Sequence, residues 1–533
     1  MSPLLRHRAP PGTVIIDTDS APRLVHFGEG FREERLPVGT RVLYPRPPIA
    51  GLADPRGAIR DAIDHPLGSD PFAALLRAGM RVTIAMDDIS LPLPPMATPD
   101  VRQMALEVLL PILAEGSVED VHLLVANSLH RKLTEDEMRR MVGPAIHREF
   151  FPDRYSCHDA EDPDGLVVVG TTRHGERLRL NRRAAESDLV VYLNVNLVPM
   201  DGGHKSVTVG LCDYQSLRPH HEPQTIIDSD GYMDPARSEL SRKCERMGRL
   251  VDESLTVFHV ETVLNNRMYG EALDFLARDE DDFSETDRVK LSATRFALER
   301  MPRAARRAFF HRMAAPYELI GCWAGRTEPV HEQTLQRCFE QYAVPVAGQC
   351  DVLLAGVPYL SPYNVNSVLN PILVQVMGPG YLFNLYRGRP LVRKGGVLIL
   401  AHPCTDEFDA DVHPSYVEFF ERLLPETRDA FTLREKYEEE FAHNPSYVQM
   451  YRRGHAYHGA HPFFMWYWGE NGRRHLGKII ALGADTAYVP RRLGWDRASS
   501  LEEALDMAKS FLGRSPEVTM LHLPPIVIPQ VGP

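Results

Sequence analysis

The 533-residue sequence predicts an α/β fold of two α/β domains with largely parallel sheets. Two observations carry this. Short β-rich runs alternate with helix-patterned runs between Arg81 and Asn196, and the same rhythm returns between Asp351 and Leu523. A third is the segment Glu271 to Ala314, rich in Arg, Asp, Glu and Ala at helical spacing, which reads as a mostly helical insertion. The domains are expected at 1–265 and 266–533, the second with a helical insertion at about 271–330 and an aromatic, histidine-rich one at about 405–470. With 44% hydrophobic and 25% charged residues, the chain is long enough to bury more than one core.

In the first half, Arg81 to Met86 reads as a strand, Pro99 to Gly116 as a helix and Val121 to Ala126 as a strand. Thr134 and Glu137 form a capping box that opens the next helix, and Gly143-Pro144 closes it. Strands follow at Leu166–Val169 and Asp188–Asn196. In the second half, strands are expected at Asp351–Gly356, Gly395–Leu400, Lys478–Leu482 and Val518–Leu523, the last after a capped helix over Ser500–Phe511.

Composition excludes some partners, and a small-molecule substrate is the expected one. A formal charge of −12 argues against nucleic acid, because phosphate neutralisation needs Lys and Arg that acidic residues do not cancel. Seven scattered cysteines without a C-x-x-C pair fit a reducing cytoplasm. Met1 to Gly12 has charges and prolines but no apolar signal core, and no apolar run suits a bilayer, so no membrane partner is expected.

Ligands of open α/β sheets gather outside the carboxyl ends of the strands. Three unusual segments fall there: Asp87-Asp88, Asn127 to Arg131, and Pro199 to Lys205. His130 can take a proton from a hydroxyl near neutral pH, or simply tie its loop to the following helix. Lys205, after the turn Gly202-Gly203-His204, can be a phosphate clamp, a Schiff-base amine or an acylated tether, or a solvated lysine. His220 and His221 are adjacent, so one of them suits a metal such as nickel, zinc or copper, unless both are solvated. His455, His458 and His461 lie among aromatic residues. Their loose spacing, with Gly459 and Pro462 against regular helix, favours packing or a pocket wall over a metal site.

Leu67-Gly-Ser-Asp-Pro71, Val125 to Arg131, His158-Asp159, Gly170 to Gly175, Asn181, Ala184 to Asp188 and Gly202 to Lys205 together resemble the lactate racemase family, whose members use a nickel-pincer nucleotide. The resemblance covers most of 25–230 and returns more weakly at 324–404 and 478–525. It implies a racemase or epimerase, an isomerase working by hydride transfer, in which a pyridinium mononucleotide is joined to a lysine, matched by Lys205. Nickel is then held by two sulfurs, a ring carbon and a histidine, matched by His221. It also implies dependence on cofactor-synthesis enzymes, His130 as an acid/base, Gly202 and Gly203 beside the nucleotide phosphate, Asp88 at the cofactor, and an active site between the two domains.

Departures from the pattern are specific. Pro199 is followed by Met200 in a shortened loop, so the family's second acid/base histidine is absent. Leu91, in Asp88-Ile-Ser-Leu91-Pro92, stands where an arginine would hold a carboxylate, and Ser367 and Asn370 replace a glutamine and a lysine. Ser367, Asn370 and His204 are the expected substrate contacts, with His174, Arg173 and the 455–461 histidines as further replacements for the lost cations. Polar replacements suit a 2-hydroxy acid or a related polyhydroxy substrate. The same cofactor driving another redox or epimerase reaction, or a non-catalytic cofactor- or metal-binding homologue, are the other readings.

Overall fold

The computed structural model describes residues 10–91, 93–524 and 526–532. Most of the Met1 to Gly12 segment, and Pro92 of the Asp88 motif, lie outside them. The described residues are mixed α/β, with two large, mostly parallel sheets and three two-stranded ones. Among the described residues no helix is long and apolar enough to cross a membrane.

The six-stranded sheet runs, edge to edge, through Leu319–Gly325, Val257–Leu264, Leu189–Asn196, Arg81–Asp87, Asp120–Ala126 and Tyr155–Cys157. All neighbours are parallel except the first pair. Every residue of Leu189–Asn196 is buried, as expected of a central strand covered on both faces. Arg81–Asp87 is the first of these strands in the chain, and later strands are laid down on both sides of it. The strand order therefore reverses between Arg81–Asp87 and Leu189–Asn196, a position at which α/β sheets open a crevice at their carboxyl ends.

The seven-stranded sheet runs through Thr13–Ile15, Arg41–Leu43, Val518–Leu521, Cys350–Gly356, Val392–Ala401, Lys478–Leu482 and Asp496–Ala498. The expected helices form at Val101–Glu115, Glu135–Val142 and Leu501–Leu512, and the Thr134 capping box and the Ser500 cap are both made.

Four features depart from the sequence reading. Leu166–Thr171 joins neither large sheet; among the described residues it pairs with Arg177–Asn181 as an antiparallel hairpin, whose turn carries Gly175 at φ +88°. The stretch 271–330 is not all helical: after Glu285–Arg300 and Arg303–Arg312 comes Leu319–Gly325, an edge strand of the six-stranded sheet. Thr13–Ile15 and Arg41–Leu43 lie in the other sheet, so the sheets do not divide at 265/266. Finally, His461–Tyr467 is helical, with Pro462 in the first turn, where its missing N–H leaves no helix bond unmade.

Candidate functional site

The crevice at the strand reversal is a cavity of about 130 Å³ that opens to solvent. Asp87 and Asp88 enter it from the end of Arg81–Asp87, Asn127 to His130 from the end of Asp120–Ala126, and Asn194, Asp201, Gly202 and Lys205 from the end of Leu189–Asn196 and its loop. His221 comes from the helix Tyr214–His221. Tyr363, His461, Phe464 and Trp468 complete the wall from the second half of the chain. The three segments singled out at strand ends therefore converge, and Lys205 and His221 share one cavity.

His130 is held by its Nδ1, 2.8 Å from Asp88 Oδ2, while Asp88 Oδ1 accepts from the backbone N–H and the hydroxyl of Ser90. Burial alone would raise the Asp88 carboxyl; the nearby imidazole and the Ser90 donors outweigh it and hold the group below its ordinary range. An ionised carboxylate only accepts hydrogen bonds, so His130 carries its proton on Nδ1 and presents the Nε2 lone pair. Asp88 thus orients the imidazole.

His221 is buried, with Nδ1 2.8 Å from His220 Nδ1 and its ring packed edge-on against Phe464 and Trp468. Burial, then the neighbouring His220 and Lys205, lowers its pKa well below the ordinary value, so the ring is neutral, the form that ligates a metal. Of the adjacent pair, His221 lines the cavity; His220 is fully buried, and its Nε2 has no hydrogen-bond partner.

Lys205 Nζ donates to the Met200 carbonyl at 3.0 Å and stands 4.0 Å from Asp201 Oδ1. It lies in the first turn of a short helix, His204–Gly210, whose entry depends on Gly203 at φ +63° and ψ −154°, a conformation essentially restricted to glycine. A Cβ on Gly203 would lie 2.7 Å from the His331 ring, and one on Gly202 2.7 Å from Asn196 Oδ1. The Gly203 N–H donates to Glu261 at 2.7 Å, so that amide is committed to the protein and is not open to a phosphate.

Other expected contacts lie elsewhere. His204 points to Asp252, at 2.8 Å, against the helix Glu239–Ser254, because Gly248 there leaves room for its ring. Ser367 bonds Asp409 and His413, and Asn370 caps the helix Pro371–Gln375 by accepting from Ile372 and Leu373. None of these three lines the cavity, since each is consumed by local structure. Arg173 and His174 are exposed at the hairpin turn, His455 is exposed, and His458 bonds Glu161 at 2.8 Å. His461 alone of the aromatic-segment histidines reaches the wall.

Residues 30–232 match the family model described as the lactate racemase N-terminal domain. Over that stretch the chain is similar to lactate racemases. A lactate racemase from Thermoanaerobacterium thermosaccharolyticum is 24% identical over 168 residues, which span 31% of this chain and 37% of that protein. The lactate racemase apoprotein structure from the same organism superposes with a TM-score of 0.62 at 18% identity, over 96% of this chain and 100% of the other. A crystal structure of a Thermotoga maritima protein gives 0.53 at 13% identity, over 91% and 100%. At such identities the two structures establish a shared fold.

The charges around the cavity are unevenly distributed. Among the described residues of the wall, Lys205 is the one side chain with a fixed positive charge, facing the carboxyls of Asp87, Asp88 and Asp201. Asp87, which accepts from Val195 N–H at 2.8 Å, is pushed up to about 7 by burial, and Asp201 to about 6, again chiefly by burial. Arg131 is spent on Glu137, with bonds of 2.9 and 2.6 Å. Five polar atoms of the described wall residues are buried without a partner: Asn127 Oδ1, Ser128 Oγ, Asn194 Oδ1, Asp201 Oδ2 and Trp468 Nε1. Sequence reasoning did not name Asn194 or Tyr363 as wall residues, while Asp201 lay in the segment singled out at a strand end and Trp468 in the aromatic run read as packing or a pocket wall.

Proposed function

We propose that the chain is a nickel-pincer nucleotide-dependent racemase or epimerase acting at a secondary alcohol of a 2-hydroxy acid or related polyhydroxy compound. The observation that carries this reading is the single cavity lined by Lys205, His221 and the Asp88–His130 pair. Lys205 would tether the cofactor, and the neutral His221 would ligate nickel. The unpartnered atoms of Asn127, Ser128, Asn194 and Asp201 fit a hydroxyl-bearing group, because buried polar atoms left alone cost about 1–3 kcal/mol each.

When bound, the cofactor supplies a centre that accepts a hydride from a carbinol carbon and returns it. The chain's own part is the proton. His130 Nε2 takes it from the substrate hydroxyl, and the Asp88 carboxylate, fixed by Ser90, stabilises the resulting imidazolium. Tyr363, Phe464 and Trp468 exclude water from the reacting atoms. The cavity is smaller than the ~300–1,000 Å³ of sites that enclose a whole ligand. It would hold the reactive ring and the alcohol, with the rest of the nucleotide outside.

The test is production together with cofactor-synthesis enzymes, followed by peptide mass and nickel analysis. The wild type should carry an adduct on Lys205 and retain stoichiometric nickel; His221→Ala should keep the adduct and lose metal. An unmodified Lys205 with no nickel retained would sink the reading. On a panel of chiral hydroxy acids and polyols in deuterated solvent, internal hydride return leaves the carbinol hydrogen unexchanged.

A further inference from the structure

His461 and His130 meet edge to face, with ring centroids 5.3 Å apart, and both line the cavity. Their segments are joined directly: the His458 N–H donates to the Leu129 carbonyl at 3.1 Å, and the His461 N–H to the His458 carbonyl at 2.9 Å. The two imidazoles are nevertheless held in opposite ways. Asp88, an acceptor, fixes the proton of His130 on Nδ1. Against His461 Nδ1, at 2.6 Å, stands the hydroxyl of Tyr416, a fully buried residue whose O–H has no other acceptor among the described residues. A buried hydroxyl hydrogen must be donated somewhere. Tyr416 therefore donates to His461 Nδ1, which places the His461 proton on Nε2, the nitrogen left for the cavity.

We propose that His461 is a neutral hydrogen-bond donor to the same substrate oxygen that His130 deprotonates, so that one base and one electrophile hold a single oxygen atom. This rests on the alcohol chemistry proposed above. Losing a proton from Nε2 would create an imidazolate in an apolar, aromatic wall, so His461 polarises the oxygen as a neutral imidazole and does not exchange protons with it. The hydroxyl proton goes to His130 Nε2 and returns from it. The electron pair of the C–H bond goes to and returns from the hydride acceptor named above, so atoms and electrons balance over a turnover. With the oxygen pinned between the two rings, inversion occurs by rotation of the carbonyl about its C–O axis. One base then serves both faces, and the absent second acid/base histidine is not needed.

The test begins with apoprotein labelled with ¹⁵N-histidine near neutral pH, with His130→Gln and His461→Gln assigning the signals. The expected spectrum has His461 protonated on Nε2 only and His130 on Nδ1, with Tyr416→Phe giving His461 a mixed tautomer. A wild-type His461 carrying its proton on Nδ1, or on both nitrogens, overturns the proposal. On protein with the Lys205 adduct and nickel counted, His461→Phe should lower kcat by about 10²–10³, the loss expected for one preorganised donor. His461→Gln, which keeps an N–H, should lower it far less. Wild-type turnover by His461→Phe overturns the proposal. A loaded wild type that turns over no panel member sinks the reaction reading instead, and the tautomer spectrum still decides whether His461 presents an N–H.

Discussion

The Asp88–His130 pair is the smallest unit on which the proposed chemistry rests. Asp88→Asn keeps the shape but puts an amide where an acceptor-only carboxylate stood. The amide N–H would donate to His130 Nδ1 and move the imidazole proton to Nε2, which removes the base. We expect turnover to fall by about 10²–10⁴ with the Lys205 adduct and nickel content unchanged; equal turnover in the variant would show that His130 is not the base. Asp87 tests the electrostatics of the same strand end. Burial pushes its carboxyl up from 3.8 to about 7 despite the opposing Val195 N–H, so the folded chain binds that proton more tightly than the unfolded one. The stabilisation is complete below about pH 4 and is lost as pH rises through about 7. Asp87→Asn has no charge to bury, so its melting temperature relative to wild type should be more favourable on the alkaline side of that window than on the acid side. A difference independent of pH would contradict the assignment.

At the scale of elements, the turn Gly202-Gly203 decides where Lys205 stands. It is fixed from behind: Glu261, fully buried on Val257–Leu264, accepts the Gly203 N–H and lies 3.2 Å from His331 Nδ1. Gly203→Ala meets both a forbidden backbone conformation and the His331 ring, and should destabilise the fold by about 1–3 kcal/mol. Chemical denaturation measures that loss, and peptide mass should show less Lys205 adduct than in the wild type. The strands, the Thr134 capping box and the convergence of three strand ends were legible because hydrophobic period, caps and strand-end position are local signals. The destinations of His204, Ser367 and Asn370 were not, because they depend on partners remote in sequence or on backbone groups left free by folding: Asp252, Asp409 with His413, and the first amides of a helix. Tyr363 as a wall residue was invisible for the same reason, whereas the aromatic run around His461 and Trp468 already read as packing or a pocket wall.

Over the whole molecule, the two halves of the sequence are bound together by exchanged strands. Leu319–Gly325 lies antiparallel to Val257–Leu264 at the edge of the six-stranded sheet, while Thr13–Ile15 and Arg41–Leu43 extend the seven-stranded one through Val518–Leu521. A fragment ending at Asn265 would lose the strand that covers Val257–Leu264, seven of whose eight residues are buried, and would leave its own first strands without a sheet to join. Unpaired edges with apolar faces aggregate, since each carries a row of free N–H and C=O groups. We therefore expect the 1–265 fragment to be insoluble or to lack dispersed amide resonances. A chain in which 1–265 and 266–533 are produced as separate polypeptides in one cell should recover a folded complex, because the exchanged strands then find their sheets. A 1–265 fragment that is monomeric, cooperative in unfolding and well dispersed would show that the edge strand is dispensable, and the division of the chain would then follow the sequence and not the sheets.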